Sequence, residues 1–431
     1  MTLLTNSVTA CTGTLIVGAG QAGLQLAVSL RENGYSAPIT IAGAEPWGAY
    51  QRPPLSKSFL NGDVDEDNLS LRATDFYTEN AIDARIGTRI WDIRLAASGR
   101  GGEAFTGDGR VLGFEKLALT TGSRPRRLTI PGADLTGVCY LRSIPDATHL
   151  RTLLGVAHTV VVIGGGFIGL EAAAAARRRG LDVTLVESYG RLLQRVVAPP
   201  VSAFYRGAHD RRGVHFRLGS GVIALHGDER VTGVELSDGT VLPADVVIVG
   251  IGVEPRIELA HRLGLTCSRG IVVDESARTS NPTVVAAGDC TVQPHPQHPD
   301  TLVSLESVQN AVDQAKVAAA TLLGRNRPPT TVPWFWSDQG DLKLQIAGLS
   351  TGFDDFVVRG EPDSESFSVL YYRDGHLIAA DAVNRPHDFM AVKRALSLGS
   401  TIPSEEATNT DFTLKALIRA VDAPLPAGRR P

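Results

Sequence analysis

The stretch "TLIVGAGQAGLQLAVSLRENG", residues 14–34, places an apolar strand, a glycine turn and a helix of small apolar residues in direct succession. Its glycines, Gly18, Gly20 and Gly23, fit G-x-G-x-x-G in the strand–turn–helix setting that gives the motif meaning. Gly18 permits the tight turn, Gly20 lets a pyrophosphate approach the backbone, and Gly23 lets the helix pack closely on the sheet. The positive end of the helix then faces the phosphate charge. A second stretch, "TVVVIGGGFIGLEAAAAARRRG" at 159–180, repeats the plan with Gly164, Gly166 and Gly169. The two starts lie 146 residues apart, judged by Gly18 and Gly164, and each is followed by another apolar strand, "APITIAG" (37–43) or "LDVTLVE" (181–187).

The later parts of each unit also match. "DGRVLGFEKLALTTG" (108–122) reads as a hairpin strand returning to a central strand that ends in glycine, and "VTGVELSDGTVLPADVVIVGIGVEP" (231–255) does the same. Left over are a strand, "TVVAAGDC" (283–290), and a helical stretch, 304–324, which are expected to return to the first domain. The second domain is then an insertion in the first. "GRNRPPTTVP" (324–333) reads as a linker. Beyond it, short alternating strands and a helix starting soon after Pro386 predict a small α+β domain. The expected fold is α/β: two Rossmann-like dinucleotide-binding domains, the second inserted in the first, with a small α+β C-terminal domain.

Composition narrows the function classes. The 431 residues carry a formal net charge of −4, so nothing global favours nucleic acid. "MTLLTNSVTACTG" has no basic n-region and no apolar run reaches eighteen residues, so neither a signal peptide nor a membrane span is expected, and the cytoplasm is the default location. The four cysteines, Cys11, Cys139, Cys267 and Cys290, lie far apart without C-x-x-C spacing. That spacing opposes a structural metal, a cluster-ligand set or a disulfide framework. "HPQH" (295–298) reads as a surface loop and not as a metal site.

Several strand ends carry candidate ligand-binding groups. Glu45, 22 residues beyond Gly23, and Glu187, 18 beyond Gly169, stand where a carboxylate accepts ribose hydroxyls. Ser188 and Tyr189, not a pair of arginines, follow Glu187, which favours NADH over NADPH, with Arg191 close by. Asp289, after a glycine at a strand end, suits a ribityl chain, and the helix starting near Ser307 would aim its positive end at the flavin N1/C2=O edge. Gly252 and Glu254 would close over the interface between the two nucleotides. "QRPPLSK" (51–57) sets two prolines between Arg52 and Lys57, a stiff, cationic, non-helical turn.

These motifs, with "TGSRPR", "VAAGD", "ESVQNAVDQAKVAA", "PWFWSDQ" and "HLIAADAVNRPHDF", give a strong resemblance over nearly the whole chain. The sequence resembles the FAD- and NADH-dependent ferredoxin reductases of bacterial oxygenase systems, of the putidaredoxin-reductase and biphenyl-dioxygenase-reductase type, related in fold to glutathione reductase. The resemblance implies an FAD domain at 1–117 and 245–328, an NADH domain at 118–244 and a C-terminal domain with tail at 329–431. It implies tightly bound, non-covalent FAD on Gly18, Gly20 and Gly23, with Glu45, Arg52 and Lys57 nearby. Thr121, Gly122 and Arg124 would line that pocket, Asp289 meet the ribityl chain and Val308 lie near the flavin ring. Gly164, Gly166, Ile168 and Gly169 would hold NADH, Glu187 its adenosine ribose, Gly252 the closing turn, and Glu171 would sit near the nicotinamide. Trp336 would belong to the small domain's face toward flavin and partner. Lys57, Glu171 and Trp336 are the residues expected to act on the chemistry. Two departures stand out: Ala44 in "GAE" where the family commonly has "GDE", and Arg256 where relatives often have Asn.

The activity implied is hydride transfer from NADH to FAD, then single electrons to a small acidic [2Fe–2S] ferredoxin serving a cytochrome P450 or a Rieske oxygenase. No bound metal is expected, and the expected assembly is a monomer or weak dimer. The arginines at 177–179, 191, 195, 206, 211 and 212 offer a local basic face for such a partner, or, for "ARRRG" itself, an ordinary helix C-terminus. A disulfide reductase is disfavoured because "WGAYQRPPLSKSFL" holds no cysteine. An NADH oxidase or quinone reductase is the alternative, and a non-enzymatic flavin redox sensor a further one. The C-terminal "NTDFTLKALIRAVDAPLPAGRRP" is read as a terminal packing helix.

Overall fold

A computed structural model describes residues 13–296, 298–326 and 332–420. Cys11, the start of the linker's proline run and the tail from 421 lie outside the described residues. The chain divides into two units: Met1–Arg52, Glu66–Arg124 and Val253–Thr330 form one, and Pro53–Asp65, Pro125–Gly252 and Thr331–Pro431 the other.

The first unit is built on a five-stranded parallel sheet in the order Val284–Ala286, Lys116–Leu119, Thr14–Val17, Ile39–Ala42, Ile82–Arg85. Thr14–Val17 and Ile39–Ala42 are buried at every position because both faces are covered, the usual condition of parallel sheets, whereas the edge strand Ile82–Arg85 buries only Ile82. On one face Leu26, Ala27 and Leu30 of the helix Gln21–Glu32 share a core with Ala315, Ala318 and Ala319 of Val308–Leu322. The alanines bring the two helices close to each other and to the sheet. A three-stranded antiparallel sheet, Ile90–Leu95, Gly102–Thr106 and Val111–Phe114, covers part of the other face through Ile93, Ala104 and Leu112.

The second unit repeats the parallel sheet: Val214–Leu218, Asp182–Glu187, Thr159–Ile163, Val246–Val249, Val138–Tyr140. It adds a five-stranded antiparallel sheet, Trp334–Gln339, Leu342–Gly348, His376–Val383, Ser366–Arg373, Asp355–Glu361. The helix Pro386–Ser397 packs Phe389, Val392 and Ala395 against one face of that sheet. Leu344, Phe367 and Tyr371 on the other face join one continuous core with Leu170, Ala173, Phe204 and Tyr205. That shared core is why the C-terminal sheet and the second parallel sheet form a single unit.

The architecture is thus the mixed α/β arrangement expected, with details that differ. The expected boundary at 117/118 falls inside Lys116–Leu119, and that at 244/245 precedes Val246–Val249, a strand of the second parallel sheet. In the structure the crossings lie at 124/125 and 252/253. The segment expected to run non-helically at 51–57 contains a 3₁₀ turn, Pro53–Ser56, since proline's fixed φ is compatible with helical turns. "HPQH" is no simple loop: Thr291–His295 and His298–Val303 pair as antiparallel strands. In the C-terminal stretch the described residues contain the short 3₁₀ turn Leu414–Leu417 where a packing helix was expected, with Leu414 and Leu417 buried.

Candidate functional site

In the first unit Gly18 has φ of +121°, and a Cβ there would stand 2.1 Å from the Thr120 carbonyl oxygen. A Cβ on Gly23 would stand 2.0 Å from the Gly18 carbonyl oxygen, so helix and turn touch only because both residues are glycine. Gly20 is different: a Cβ on it would have nothing within 4 Å. It heads the helix Gln21–Glu32 without a side-chain cap, so first-turn N–H groups are left for an external acceptor. Two glycines are spent on packing and the third on an open cradle, a shape that fits a pyrophosphate.

Glu45 follows the strand Ile39–Ala42, whose Ala42 carbonyl accepts the Gly18 N–H at 2.8 Å. Arg52 Nη2 is 2.5 Å from its Oε1, Tyr50 Oη donates to Oε2 at 2.6 Å, and Arg52 Nη1 donates to Tyr50 Oη at 2.6 Å. Asp289 accepts from Ser123 Oγ at 3.0 Å. Its turn is pinned by Gln314, whose Oε1 accepts the Gly288 N–H at 2.8 Å and the Thr291 hydroxyl at 2.9 Å. Thr121 Oγ1 donates to the Arg256 carbonyl at 2.6 Å and Gly122, at φ +66°, accepts the Arg256 N–H at 2.9 Å, so backbone atoms hold this loop whatever side chain stands at 256. Arg124 points outward into ion pairs with Glu254 and Glu258. Val308 opens the helix Val308–Leu322, capped by Ser307, which accepts the Asn310 N–H. Cys290, beside Asp289, is fully buried, and burial pushes its thiol up, away from the reactive thiolate.

In the second unit the same division recurs. Gly164 has φ of +110°, a Cβ on Gly169 would lie 2.0 Å from the Gly164 carbonyl oxygen, and one on Gly166 would meet nothing within 4 Å. Ile168 is 42% exposed on the first turn of the helix Phe167–Arg178. Glu187 sits at the strand end with Oε2 accepting the Gly165 N–H at 2.6 Å and Oε1 accepting the Tyr189 N–H at 2.8 Å. Its carboxylate is thereby fixed at the rim of the cradle. Gly252 adopts φ of +103° and accepts the Arg126 N–H at 2.9 Å. Arg191 donates to the carbonyls of Val197 and Gln194, both at 2.8 Å, and to Ser202 Oγ at 2.7 Å. The basic run is similarly engaged: Arg177 with the Leu181 and Arg212 carbonyls, Arg178 with Asp63, Arg179 with the Leu60 carbonyl, and Arg211 and Arg212 with Glu365.

The "QRPPLSK" segment divides between the units after Arg52. Arg52 goes to Glu45, and Lys57 goes to Glu171, at 2.7 Å between Nζ and Oε2. Glu171, on the helix of the second glycine motif, is only 3% exposed. Ser56 Oγ donates to its Oε2 at 2.5 Å and Ser337 Oγ to its Oε1 at 2.6 Å. Three donors thus surround a buried carboxylate, the condition under which a buried charge is tolerated. Trp336 lies on the edge strand Trp334–Gln339, with ring centroids 5.4 Å from Trp334 and 6.5 Å from Phe335. Ser56, Ser337, Tyr50, Ser123 and Gln314 escaped the sequence reading. Each stood inside a quoted motif (Tyr50 and Ser56 in "WGAYQRPPLSKSFL", Ser123 in "TGSRPR", Gln314 in "ESVQNAVDQAKVAA", Ser337 in "PWFWSDQ"), but nothing local marked which partner it meets. No group of three or more metal-ligating side chains occurs among the described residues, whose three cysteines are all unpaired, and no described helix is long and apolar enough to cross a membrane.

Comparison with known proteins covers both units. Residues 12–315 match the pyridine nucleotide-disulphide oxidoreductase family, and residues 334–418 match the reductase C-terminal family. Rhodocoxin reductase of Rhodococcus erythropolis is 44% identical over 405 residues, 94% of each chain. A crystal structure of a ferredoxin reductase from Rhodopseudomonas palustris superposes with a TM-score of 0.90 at 41% identity, covering 94% of this chain and 99% of that one. The covalent putidaredoxin reductase–putidaredoxin complex gives a TM-score of 0.90 at 37% identity, covering 94% and 97%.

Proposed function

The chain belongs to the pyridine nucleotide-disulphide oxidoreductase family, with the reductase C-terminal domain appended, and from that premise we propose that it is an FAD-dependent NADH:ferredoxin reductase. The observation that carries the reading is the pair of glycine cradles, one in each unit, each open at its middle glycine, in a chain whose described residues hold no cysteine pair. Two dinucleotides call for two cradles. A disulfide reductase would add a redox-active pair of thiols beside the flavin, and the described cysteines lie singly, at 139, 267 and 290.

The residues divide the work as follows. Gly18, Gly20 and Gly23 bind the FAD pyrophosphate, and Glu45, braced by Arg52 and Tyr50, takes a ribose. Thr121 and Gly122 line the pocket, while Arg124, expected there, turns outward to Glu254 and Glu258; Ser123 steadies Asp289 for the ribityl chain, and Val308 brings the helix N-terminus toward the flavin ring. Gly164, Gly166, Ile168 and Gly169 receive NADH. Glu187 accepts from the adenosine ribose and repels a 2′-phosphate, and Arg191, committed to two carbonyls and a hydroxyl, does not offset it. Gly252 supplies the turn that closes this site. Lys57 and Glu171 present a buried ion pair to the reacting rings, and Trp336 lies on the face toward the partner.

When bound, FAD takes two electrons as hydride from NADH and gives them up singly, which is what matches NADH to an iron–sulfur acceptor. The partner is a small acidic [2Fe–2S] ferredoxin that passes electrons to a cytochrome P450 or Rieske oxygenase, and the reaction takes place in the cytoplasm. Binding by the protein as a monomer or weak dimer is part of the proposal. The test mixes the flavin-loaded protein anaerobically with NADH or NADPH, follows flavin bleaching, and then measures cytochrome c reduction with and without a [2Fe–2S] ferredoxin. Fast bleaching by NADH and ferredoxin-dependent cytochrome c reduction are expected. Fast turnover with oxygen or a quinone and no ferredoxin dependence would make it an oxidase or quinone reductase. Absence of bleaching would leave a flavin sensor.

A further inference from the structure

Behind the Lys57–Glu171 pair, within the same unit, runs a chain of buried polar groups that the proposed reaction does not itself require. Ser337 Oγ lies 2.6 Å from Glu171 Oε1. Gln339 Nε2 lies 3.3 Å from Ser337 Oγ, and His209 Nε2 lies 2.8 Å from Gln339 Oε1. Ser337, Gln339 and His209 are each 1% exposed or less. They come from the strand Trp334–Gln339 and the helix Pro199–Arg211, far in sequence from Glu171.

The direction of every bond in this chain follows from its inner end. Glu171, paired with the Lys57 ammonium, is a carboxylate and can only accept, so the single Ser337 hydroxyl proton is committed to it. Ser337 must then accept from its other neighbour, which places the Gln339 NH₂ toward it. The Gln339 carbonyl oxygen is left facing His209, so the imidazole carries its proton on Nε2. His209 Nδ1 has no partner among the described residues, in keeping with a neutral ring bearing one N–H. Burial holds the His209 pKa below the ordinary value, against the opposing pull of Gln339, and the nearby Arg212 adds to the lowering. All three dipoles point the same way, with hydrogen toward Glu171.

We propose that His209, Gln339 and Ser337 form a one-way hydrogen-bond relay that fixes the Glu171 carboxylate, and through it the Lys57 ammonium, for NADH-linked flavin reduction. They are positioning residues, and the inference rests on the ferredoxin-reductase reading, in which that ion pair faces the reacting rings. Aligned donors drain negative charge from Glu171 into the protein. Lys57 is then left as the stronger positive pole near the rings, where reduction deposits negative charge.

Two variants test this in the flavin-loaded full chain. Ser337→Ala deletes the last donor. Gln339→Glu keeps the shape but replaces the NH₂ by an acceptor, so that the Ser337 proton is drawn away from Glu171. Each is expected to slow anaerobic flavin bleaching by NADH by about tenfold and to lower the two-electron flavin potential by about 30 mV, the equivalent of tenfold. A network that served stability alone would lower the melting temperature and leave rate and potential at wild-type values, and that result overturns the relay. A shift with Ser337→Ala but none with Gln339→Glu also overturns it, because the hydroxyl would then act without the residues behind it. Failure of NADH to bleach the wild-type flavin is a separate outcome, one that removes the ferredoxin-reductase reading and the relay's role with it.

Discussion

Replacing Asp381 by asparagine should remove a large pH dependence of stability from the second unit. Asp381 lies on His376–Val383, an interior strand of the antiparallel sheet, and is fully buried. Its Oδ2 accepts from the Tyr371 hydroxyl, which in turn accepts the Ala198 N–H at 3.0 Å, and its Oδ1 has no partner among the described residues. Burial pushes this carboxyl up from 3.8 to about 7, with the Tyr371 hydrogen bond opposing. Between these two values the folded chain holds a proton that the unfolded chain has released. Stability is therefore fully present below the unfolded pKa and is lost as pH rises through the folded one. At 1.36 kcal/mol per unit, a rise of about three units corresponds to about 4 kcal/mol lost across that window, of which about 2 kcal/mol falls between pH 5 and pH 7. The asparagine side chain keeps an acceptor for Tyr371 and titrates nothing. Differential scanning calorimetry of both proteins at several pH values from 5 to 8 reads the difference. For a unit of this size, roughly 2–4 °C per kcal/mol applies. The wild type should thus lose about 4–8 °C relative to Asp381→Asn on going from pH 5 to pH 7. Parallel curves would refute the argument, since they would mean the buried carboxyl carries the same charge in both states.

Three other perturbations follow from the site. Gly20→Ala should leave the unloaded fold within about 1 kcal/mol of wild type yet abolish flavin retention, while Gly23→Ala, whose Cβ would meet the Gly18 carbonyl at 2.0 Å, should destabilise the fold itself; flavin absorbance per chain and melting temperature separate the two. Glu187→Ala should raise the KM for NADH by roughly tenfold, as expected for loss of a charged hydrogen bond worth about 1.5–3 kcal/mol, and narrow the preference over NADPH; an unchanged NADH/NADPH ratio of kcat/KM would count against the ribose role. Lys57→Met should cost about 3–5 kcal/mol by leaving the Glu171 charge unpaired, and adding Glu171→Gln should restore part of it, as measured by a double-mutant cycle on thermal unfolding.

Local sequence was enough for the two cradles. A strand, three glycines at fixed spacing and a helix are contiguous, and the contact at Gly23 and the opening at Gly20 are settled within a few residues, although the Thr120 carbonyl that a Cβ on Gly18 would meet comes from 102 positions away. The chain order, with the second domain inside the first and an α+β segment last, was also legible, because hydrophobic period and turn residues are local signals. Partner choice was not. Arg52 and Lys57 look equivalent in "QRPPLSK", yet one pairs with Glu45 and the other with Glu171, 114 positions away. The arginine-rich runs looked free and are largely committed to carbonyls and carboxylates. His209, Gln339 and Ser337 are ordinary residues until the C-terminal sheet and the second parallel sheet share one core. The sequence alone determined which backbone could receive a dinucleotide. Only tertiary structure decided which charges and hydroxyls meet, because a buried group must find its donor wherever folding brings one, and sequence distance sets no limit on that.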